Sequence, residues 1–224
     1  MRLRFLRGSL RNAGASPTGT EALSEALVRL SALTSLDLSD NALGDSGACL
    51  LLPALGRLHD PLLMRVLRLN NTSFSAEGAR AMASVLPSLT GLQELEAQNA
   101  MWEGSVVSVA SSIQQLTALT HFNLSFNRFI FIDQGSEDQG SEIIAQSVSA
   151  ALQLLSSIAR LTALQRLELA SCFSGDTRVP IETLSMSLAK LTSLTHLNLS
   201  YNDWKEQESV ILVETGLSPL TNLR

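Results

Sequence analysis

The chain has 224 residues, of which 45% are hydrophobic and only 4% aromatic, and its formal net charge is −5. A core of this composition must be aliphatic, and disorder of most of the chain is excluded. The pI is near 5.2 because acidic residues outnumber lysine and arginine. The chain therefore has no excess positive charge that would attract phosphate backbones or anionic lipid. We therefore expect no nucleic-acid partner and no membrane partner.

The two cysteines, Cys49 and Cys172, are too few and too far apart in sequence for a disulfide scaffold or a zinc site. No segment approaches the roughly 18 apolar residues of a membrane helix. The first ten residues also lack the unbroken apolar stretch of a secretory signal. We expect a cytoplasmic chain with no metal, no cofactor and no small-molecule substrate.

Four arginines and no acidic residue precede Glu21, a bias shared with mitochondrial transit peptides. The spacing of the apolar residues favours a different interpretation. Leu3 and Phe5 stand at the same spacing as Leu36 and Leu38 one unit later, which a transit peptide has no reason to show. We therefore expect a first repeat unit here, with its strand starting at Leu3.

One phrase recurs along the chain, and internal repetition of this kind determines the fold. It reads LSALTSLDL at 30–38, LTGLQELEA at 89–97, LTALTHFNL at 116–124, LTALQRLEL at 161–169 and LTSLTHLNL at 191–199. At a constant distance after the start of the strand, three units carry an asparagine and one carries a cysteine: Asn41, Asn127, Asn202 and Cys172.

The resulting pattern, L-x-x-L-x-L-x-x-N/C-x-L, resembles the leucine-rich-repeat family, and the unit at 33–58 resembles its ribonuclease-inhibitor subclass. The resemblance covers nearly the whole chain. It implies an α/β solenoid, a curved horseshoe with a parallel β-sheet on the concave face and helices on the convex face. Residues 1–224 would form a single domain of about seven units. We expect this domain to be part of a longer array, because the closing LSPLTNLR opens a further unit.

Elementary geometry explains the residue types of one unit. Side chains alternate along a strand, so Leu36 and Leu38 are expected to point inward, and Ser35, Asp37 and Ser39 outward. The asparagine or cysteine at the turn can bond backbone groups of neighbouring coils that would otherwise be buried and unpaired. In the second half of a unit, apolar residues three and four apart form a helical stripe that faces the sheet. Such a stripe is formed by Leu184, Leu188 and Leu191.

Residues 130–145 are expected to form an inserted acidic loop. The interval between the flanking strands is longer here than elsewhere, and DQGSE occurs twice in succession, at 133–137 and 138–142. A calcium loop would need the D-x-[DN]-x-[DN]-G motif, which this segment lacks. The sequence therefore predicts a solvated loop that arose by tandem duplication.

Several residues that could suggest a ligand site are interpreted as structural. Trp102 and Trp204 share a repeat position with apolar residues, so we expect both in the core. His121 and His196 lie two coils apart on the exposed face. With only His59 besides, they cannot complete a zinc site.

The outward positions of the strands near residues 122, 167 and 197 make the best candidate interface. Phe126 and Tyr201 offer aromatic area of the kind found at binding hot spots, unless they fold over the turn and shield the neighbouring asparagines. The candidate protein-binding residues are His121, Asn123, Phe126, Glu168, His196, Asn198 and Tyr201.

The sequence contains no phosphate-loop, zinc-protease, dinucleotide or nucleophile-elbow motif, so no catalytic residue is assigned. The favoured interpretation is a non-enzymatic scaffold that binds a protein on its concave face. Two alternatives stay open. A GTPase activator similar to the Ran-activating leucine-rich-repeat proteins would rely on Arg128, and a non-functional repeat fragment would have no partner.

Overall fold

The fold is given by a computed structural model, which describes residues 6–9, 17–101, 107–129, 140–173, 181–202 and 204–224. The strands are Leu6–Ser9 (β1), Leu33–Asp37 (β2), Val66–Arg68 (β3), Glu94–Glu96 (β4), His121–Asn123 (β5), Arg166–Glu168 (β6) and His196–Asn198 (β7). The helices are Pro17–Val28 (α1), Gly44–Gly56 (α2), Ala76–Val85 (α3), Val107–Ile113 (α4), Gly140–Ile158 (α5), Ile181–Leu188 (α6) and Glu206–Ile211 (α7). Shorter elements are the 3-10 helices Pro61–Leu63 and Leu86–Ser88 and the π-helical segment Leu212–Leu217.

The strands form one parallel sheet in which each strand pairs with its neighbours in the sequence, from β1 to β7. Helices return the chain from the end of one strand to the start of the next, as parallel pairing requires. From β2 onward the register is constant, and it aligns Leu36, Leu67, Leu95, Phe122, Leu167 and Leu197. The expected α/β solenoid with a parallel sheet is confirmed. Among the described helices, none is long and apolar enough to cross a membrane.

The first coil departs from the sequence-based prediction, because Gly8 and not Leu3 pairs with Leu36. The length of the connection explains the difference. Gly8 lies nine residues before Pro17, where α1 starts, and Leu36 lies eight residues before Gly44, where α2 starts. A strand starting at Leu3 would leave a longer connection than the next coil uses, so that prediction is wrong. Leu3 itself lies outside the described residues.

Leucines from both halves of each coil form one continuous core. Leu36 and Leu38 are buried, as the alternation along the strand predicts. Leu184 and Leu188 on α6 are buried as well, and so is Leu191, which the sequence placed on the same helical stripe but which follows the end of α6; all three are at most 1% exposed. In these coils, the apolar side of the sheet packs against the apolar side of the helix.

An aromatic stack runs through the turns of the last coils. Phe129 meets Phe173 edge to face with ring centroids 5.2 Å apart, and Phe173 lies 5.7 Å from Trp204. Trp204 is partly buried against the core, close to its predicted position, while Trp102 lies outside the described residues. Sequence analysis missed Phe173 because it stands one residue closer to its strand than the equivalent aromatic residues do.

The asparagines at the turns join neighbouring coils through buried hydrogen bonds. The amide nitrogen of Asn127 donates to the carbonyls of Ala97 at 2.6 Å and Leu124 at 2.7 Å. Its oxygen accepts the N–H groups of Ala100 at 3.0 Å and Met101 at 2.8 Å. One side chain thus satisfies four backbone groups, three of them in the preceding coil.

The same arrangement recurs at the next asparagine. Asn202 donates to the carbonyl of Leu169 and accepts from the N–H groups of Cys172 and Phe173, each at 2.8 Å. Where cysteine replaces asparagine, the thiol of Cys172 lies 3.1 Å from the carbonyl of Leu124 in the preceding coil. The structural role predicted for this position is therefore confirmed.

Helix α5 occupies much of the longest interval between strands. It has 19 residues, against 13 in α2. Because it starts at Gly140, residues 140–145 are helical, although sequence analysis assigned them to the inserted loop. Residues 130–139, which include the first DQGSE copy, lie outside the described residues.

Asp45 in α2 completes the N-terminal cap of the neighbouring helix α3. Its carboxylate accepts the backbone N–H groups of Ser75 at 2.9 Å and Gly78 at 2.8 Å, and also the hydroxyl of Ser75. The hydroxyl bond is the largest influence on the pKa of Asp45; with the backbone bonds it outweighs partial desolvation, so the pKa is lowered. One carboxylate therefore links two coils on the convex side.

We expect Asn127→Ala to lower the free energy of unfolding by about 3 kcal/mol or more, because four buried backbone groups lose their partner at roughly 1–3 kcal/mol each. Urea denaturation followed by circular dichroism measures the loss. Asn222→Ala is the matched control, because Asn222 is exposed and donates one bond, to the carbonyl of Thr192. Equal losses in the two variants would contradict the cross-coil role of Asn127.

The stabilisation from Asp45 should depend on pH. Its pKa is lower in the folded state than in the unfolded chain, so its contribution is present above about pH 4 and is lost as the pH falls further. At pH 7 we expect Asp45→Asn to be about 1 kcal/mol less stable than the wild type, because the amide keeps one oxygen for the two N–H groups but loses the charge and the second acceptor, which binds the hydroxyl of Ser75. Urea melts at pH 7, 5, 4 and 3 should show the two proteins converge, whereas a constant gap would refute the assignment.

Candidate functional site

The constant register places equivalent outward side chains in rows across the exposed sheet face, which we call the concave face. His121, Arg166 and His196 form one row. Asn123, Glu168 and Asn198 form the next row, two residues further along the strands. The structure therefore brings five of the seven predicted site residues side by side, with His196 exposed and the other four partly buried.

A loose polar network links the second row to its neighbours. The amide nitrogen of Asn123 lies 3.4 Å from a carboxylate oxygen of Glu168 and 3.4 Å from the side-chain oxygen of Gln98. Arg166 approaches Glu168 at 3.5 Å. Contacts of this length at a partly exposed surface contribute little to the free energy of folding. A ligand could therefore replace them at little energetic cost.

Both histidines are oriented in the same way by the threonine that precedes them. Thr120 and Thr195 donate their hydroxyls to the carbonyls of Gln93 and Gln165, at 3.1 and 3.0 Å. The Nδ1 atoms of His121 and His196 lie 3.0 and 2.9 Å from the same hydroxyls. A hydroxyl that donates to a carbonyl accepts from Nδ1–H, which leaves Nε2 to meet a ligand.

The turns that follow β2 to β7 each have a residue in the left-handed region of backbone conformation. In the turns after β2 to β6, the N–H of this residue continues the hydrogen bonding between coils. Asparagine and aspartate tolerate this region, but bulky residues in it are outliers. The residues at this position are Asp40 (φ 59°), Asn71 (55°), Asn99 (47°), Phe126 (62°), Ser171 (52°) and Tyr201 (58°). We call this set the turn row.

Phe126 and Tyr201 remain accessible to solvent. Phe126 is 44% exposed and Tyr201 is 74% exposed, while the neighbouring Asn127 and Asn202 are buried. A large part of each aromatic side chain therefore does not cover the turn. Both rings are available at the edge of the concave face.

Three of the positions between the second row and the turn row are closed. Ser39, Ser125 and Ala170 are at most 4% exposed, whereas the equivalent Asn70 and Gln98 are half-buried and Ser200 is exposed. Ser39 and Ser125 use their hydroxyls to accept the N–H groups of Asn70 and Ala170 in the following coils, at 3.2 and 3.1 Å. Ser39 has little solvent-accessible surface, because its hydroxyl bridges two coils.

The sequence reasoning missed an ion-pair network on β3 and β4. Arg68 pairs with Glu94 and lies 3.2 Å from Glu96, and Asn70 donates to Glu96 at 2.7 Å. Burial alone would lower the pKa of Arg68, but the two glutamates raise it overall. Aligning the strands of successive units would have shown that Asp37, Arg68 and Glu96 stand at equivalent positions, and so that these charged side chains are neighbours.

Two open depressions lie on the concave face. The larger, of about 380 Å³, is lined by Asp37, Ser39, Asp40, Arg68, Asn70, Asn71, Glu96 and Gln98. The smaller, of about 250 Å³, is lined by Arg166, Leu167, Glu168, His196, Leu197, Asn198 and Arg224. Both are shallow and polar, which suits the side chains of a partner better than an enclosed small molecule.

The thiols of the described residues are not set up as nucleophiles. Burial raises the pKa of Cys172 far above its usual range. Cys49 is exposed on α2, and partial burial together with the charges of Glu77 and Asp45 raises its pKa as well. In the described part of the chain, no group of three or more metal-ligating side chains converges on one point.

Comparison with known proteins agrees with the repeat pattern. A family model described as "Leucine Rich repeat" matches residues 30–51 and 190–203. These segments contain the strands β2 and β7 and their turns. No curated protein matches the chain in sequence.

The fold is similar to that of a solved structure with low sequence identity. The tropomodulin C-terminal domain of Caenorhabditis elegans is 14% identical, with a TM-score of 0.53 over 77% of this chain and 92% of that one. Leiomodin-1 actin-binding site 2 is 10% identical over 85% and 80%, with a TM-score of 0.44. An internalin from Listeria monocytogenes is 18% identical over 88% and 55%, with a TM-score of 0.36. The recurring motif, the family model that matches two segments and the parallel sheet show that this chain has the fold of leucine-rich-repeat proteins.

Proposed function

We propose that the chain is a protein-interaction scaffold that binds a partner protein on its concave face. The contact residues would be His121, Asn123, Phe126, Glu168, His196, Asn198 and Tyr201. The observation that carries the proposal is the exposure of two aromatic side chains in a backbone conformation that disfavours them.

The turn row provides an internal comparison for these aromatics. A left-handed conformation costs an ordinary L-residue roughly 1–2 kcal/mol, and asparagine and aspartate less. Three equivalent turns use Asp40, Asn71 and Asn99, so the fold does not require an aromatic ring here. Tyr201, with 74% of its surface exposed, gains little packing in return. Contact with a partner protein would explain why a tyrosine occupies this position.

The two aromatics are placed to act together. They lie two coils apart, which corresponds to about 10 Å across the sheet at 4.7–4.9 Å per strand. Ser171, a small residue, stands between them in the turn row. Exposed aromatic rings beside small residues and polar groups are typical of binding hot spots.

The helices on the convex side support assignment to the ribonuclease-inhibitor-like subclass. Helical segments of 10 to 13 residues follow β2 and β3, and the motif of residues 33–58 has that subclass's long unit. The exposed free thiol of Cys49 favours a reducing compartment such as the cytoplasm. Both statements are parts of the proposal.

Tyr201→Asn should raise the free energy of unfolding by about 1 kcal/mol, because asparagine relieves the left-handed strain and little packing is lost. Phe126→Asn should be close to neutral, since Phe126 is less exposed and loses packing that offsets the gain. Urea denaturation measures both. A clear loss of stability in Tyr201→Asn would mean that its ring serves the fold.

Binding is tested by affinity capture from an extract of the source cells, with the double variant Phe126→Asn/Tyr201→Asn beside the wild type. The control is Met186→Gln, because Met186 is 59% exposed on α6 and lies away from the concave face. We expect a partner that wild type and control retain and the double variant loses, at least tenfold in bound amount. A captured set that is the same for all three would refute the proposed face.

A further inference from the structure

Two coils carry the same set of outward side chains. The segments HFNLSFN at 121–127 and HLNLSYN at 196–202 each place a histidine in the first row, an asparagine in the second and an aromatic ring in the turn row. The equivalent segments at β2, β3, β4 and β6 read SLDLSDN, VLRLNNT, ELEAQNA and RLELASC, and they have none of the three at these positions. We call each set of histidine, asparagine and aromatic ring a half-site. The coil of β6 lies between the two half-sites.

The fold uses the side-chain oxygen of each asparagine and leaves its nitrogen available. The oxygen of Asn123 accepts the N–H of Ser125 at 2.9 Å, and the oxygen of Asn198 accepts the N–H of Ser200 at 3.0 Å. The NH2 group, which can only donate, is therefore the main contact that each amide offers to a ligand.

The histidines can change from acceptors to donors without moving. Nδ1–H of each ring donates to the threonine hydroxyl beside it, at 3.0 Å for His121 and 2.9 Å for His196. A second proton can then be added only at Nε2, where it turns an acceptor into a charged donor. Histidine is the side chain that usually makes this change between pH 5 and 8. The contacts with the threonines are kept in both states.

Arg166 adds further donors between the two half-sites. It stands between His121 and His196 in the first row, and 45% of its side chain is exposed. Its contact with Glu168 is long, at 3.5 Å, and contributes little at such a surface. Except for the carboxylate of Glu168, the groups that this part of the face offers to a ligand are donors once the histidines are protonated.

The charged neighbours of the histidines favour an anion. On β4, Glu94 stands beside His121 in the row, but it is paired with Arg68. On β6, the charges of Arg166 and Glu168 offset each other. Arg224 lines the same depression as His196. Protonation of both histidines therefore makes this part of the face positive.

We infer that the two half-sites and Arg166 bind carboxylate side chains of an extended acidic segment of the partner, and that binding strengthens as the histidines gain protons. The inference rests on the proposed function and specifies the chemistry of its partner. Carboxylates have only acceptors, and they form charge-assisted hydrogen bonds with guanidinium and imidazolium groups. Apolar side chains of the same segment would pack on Phe126 and Tyr201.

The repetition of the half-site predicts the spacing of the carboxylates. The half-sites lie two coils apart, which corresponds to about 10 Å across the sheet. An extended segment advances roughly 3.3 Å per residue, so three residues span this distance. We expect two acidic residues three or four positions apart, since their side chains can absorb a small mismatch.

The test selects 16-residue peptides at pH 5.5 from a random library displayed on phage, with the full chain as the immobilised target. Selected peptides are labelled with fluorescein, and Kd is measured by anisotropy at pH 5.5 and 7.5. Peptide carboxylates stay ionised at both values, because their usual pKa is about 4. We expect an acidic pair at the predicted spacing and a Kd at least fivefold lower at pH 5.5.

Two double variants locate the effect on the face. Arg166→Gln/His196→Gln should weaken binding at least tenfold at pH 5.5, and His121→Gln/His196→Gln should remove the pH dependence. The control His59→Gln/Arg160→Gln also removes one histidine and one arginine, at exposed positions that follow α2 and α5. It should change Kd less than twofold. An equal effect in the control and in Arg166→Gln/His196→Gln would show a general charge effect and overturn the inference.

The remaining outcomes separate the two proposals. Peptides that need Phe126 and Tyr201 but have no acidic pair, or bind equally at both pH values, would overturn the inference and leave the scaffold function standing. Peptides indifferent to the aromatic and the charged substitutions would overturn both. Recovery of no peptide would overturn the inference of an extended acidic ligand, while the capture experiment would still decide the scaffold function.

Discussion

The hydrogen bonds of the turn asparagines are the constraint on which the other features of this solenoid depend. Each turn buries N–H and carbonyl groups that neither strand nor helix can pair, and an unpaired group costs roughly 1–3 kcal/mol. Asn127 satisfies three such groups in the preceding coil and one in its own. The turns that contain Asn127 and Asn202 are thereby fixed to the turns before them, which supports the register of their strands. Without that register there would be no rows of equivalent side chains, and so no continuous binding face.

The coils repeat the same backbone conformation and the same backbone hydrogen bonds. Residues at equivalent positions in different coils can therefore be compared directly. Asp37 and Asn123 accept the equivalent backbone N–H, and Asn99 and Tyr201 occupy the equivalent left-handed turn. Where two residue types serve one structural role, the difference between them is not explained by the fold. The aromatic rings at one end of the face are a difference of this kind. They point to recognition rather than stability.

Repetition also determines how much could be predicted from the sequence. The core leucines, the parallel sheet and the role of the asparagines follow from a motif seen several times, so errors in one unit are corrected by the others. The first strand was predicted to start at Leu3 because its unit departs from the motif: Gly8, which pairs with Leu36, stands where the later units have leucine or phenylalanine. The burial of Ser39 and the pairing of Arg68 with Glu96 depend on contacts with the adjacent coil, 28 to 31 residues away. Such lateral contacts become visible only when the coils are set side by side.

The two ends of the face should contribute differently to binding. Glu94 and Glu96 lie on one strand and would repel each other, but Arg68 stands between them and limits the repulsion. The known contact of Asp37 comes from a neutral N–H, so its field extends into the solvent over a Debye length of about 8 Å at physiological salt. Charge of this kind mainly acts on the rate of association, and it would direct an acidic segment toward the coils of β5 to β7. Contacts with Phe126 and Tyr201 form after docking and are nearly independent of salt, so they set the rate of dissociation.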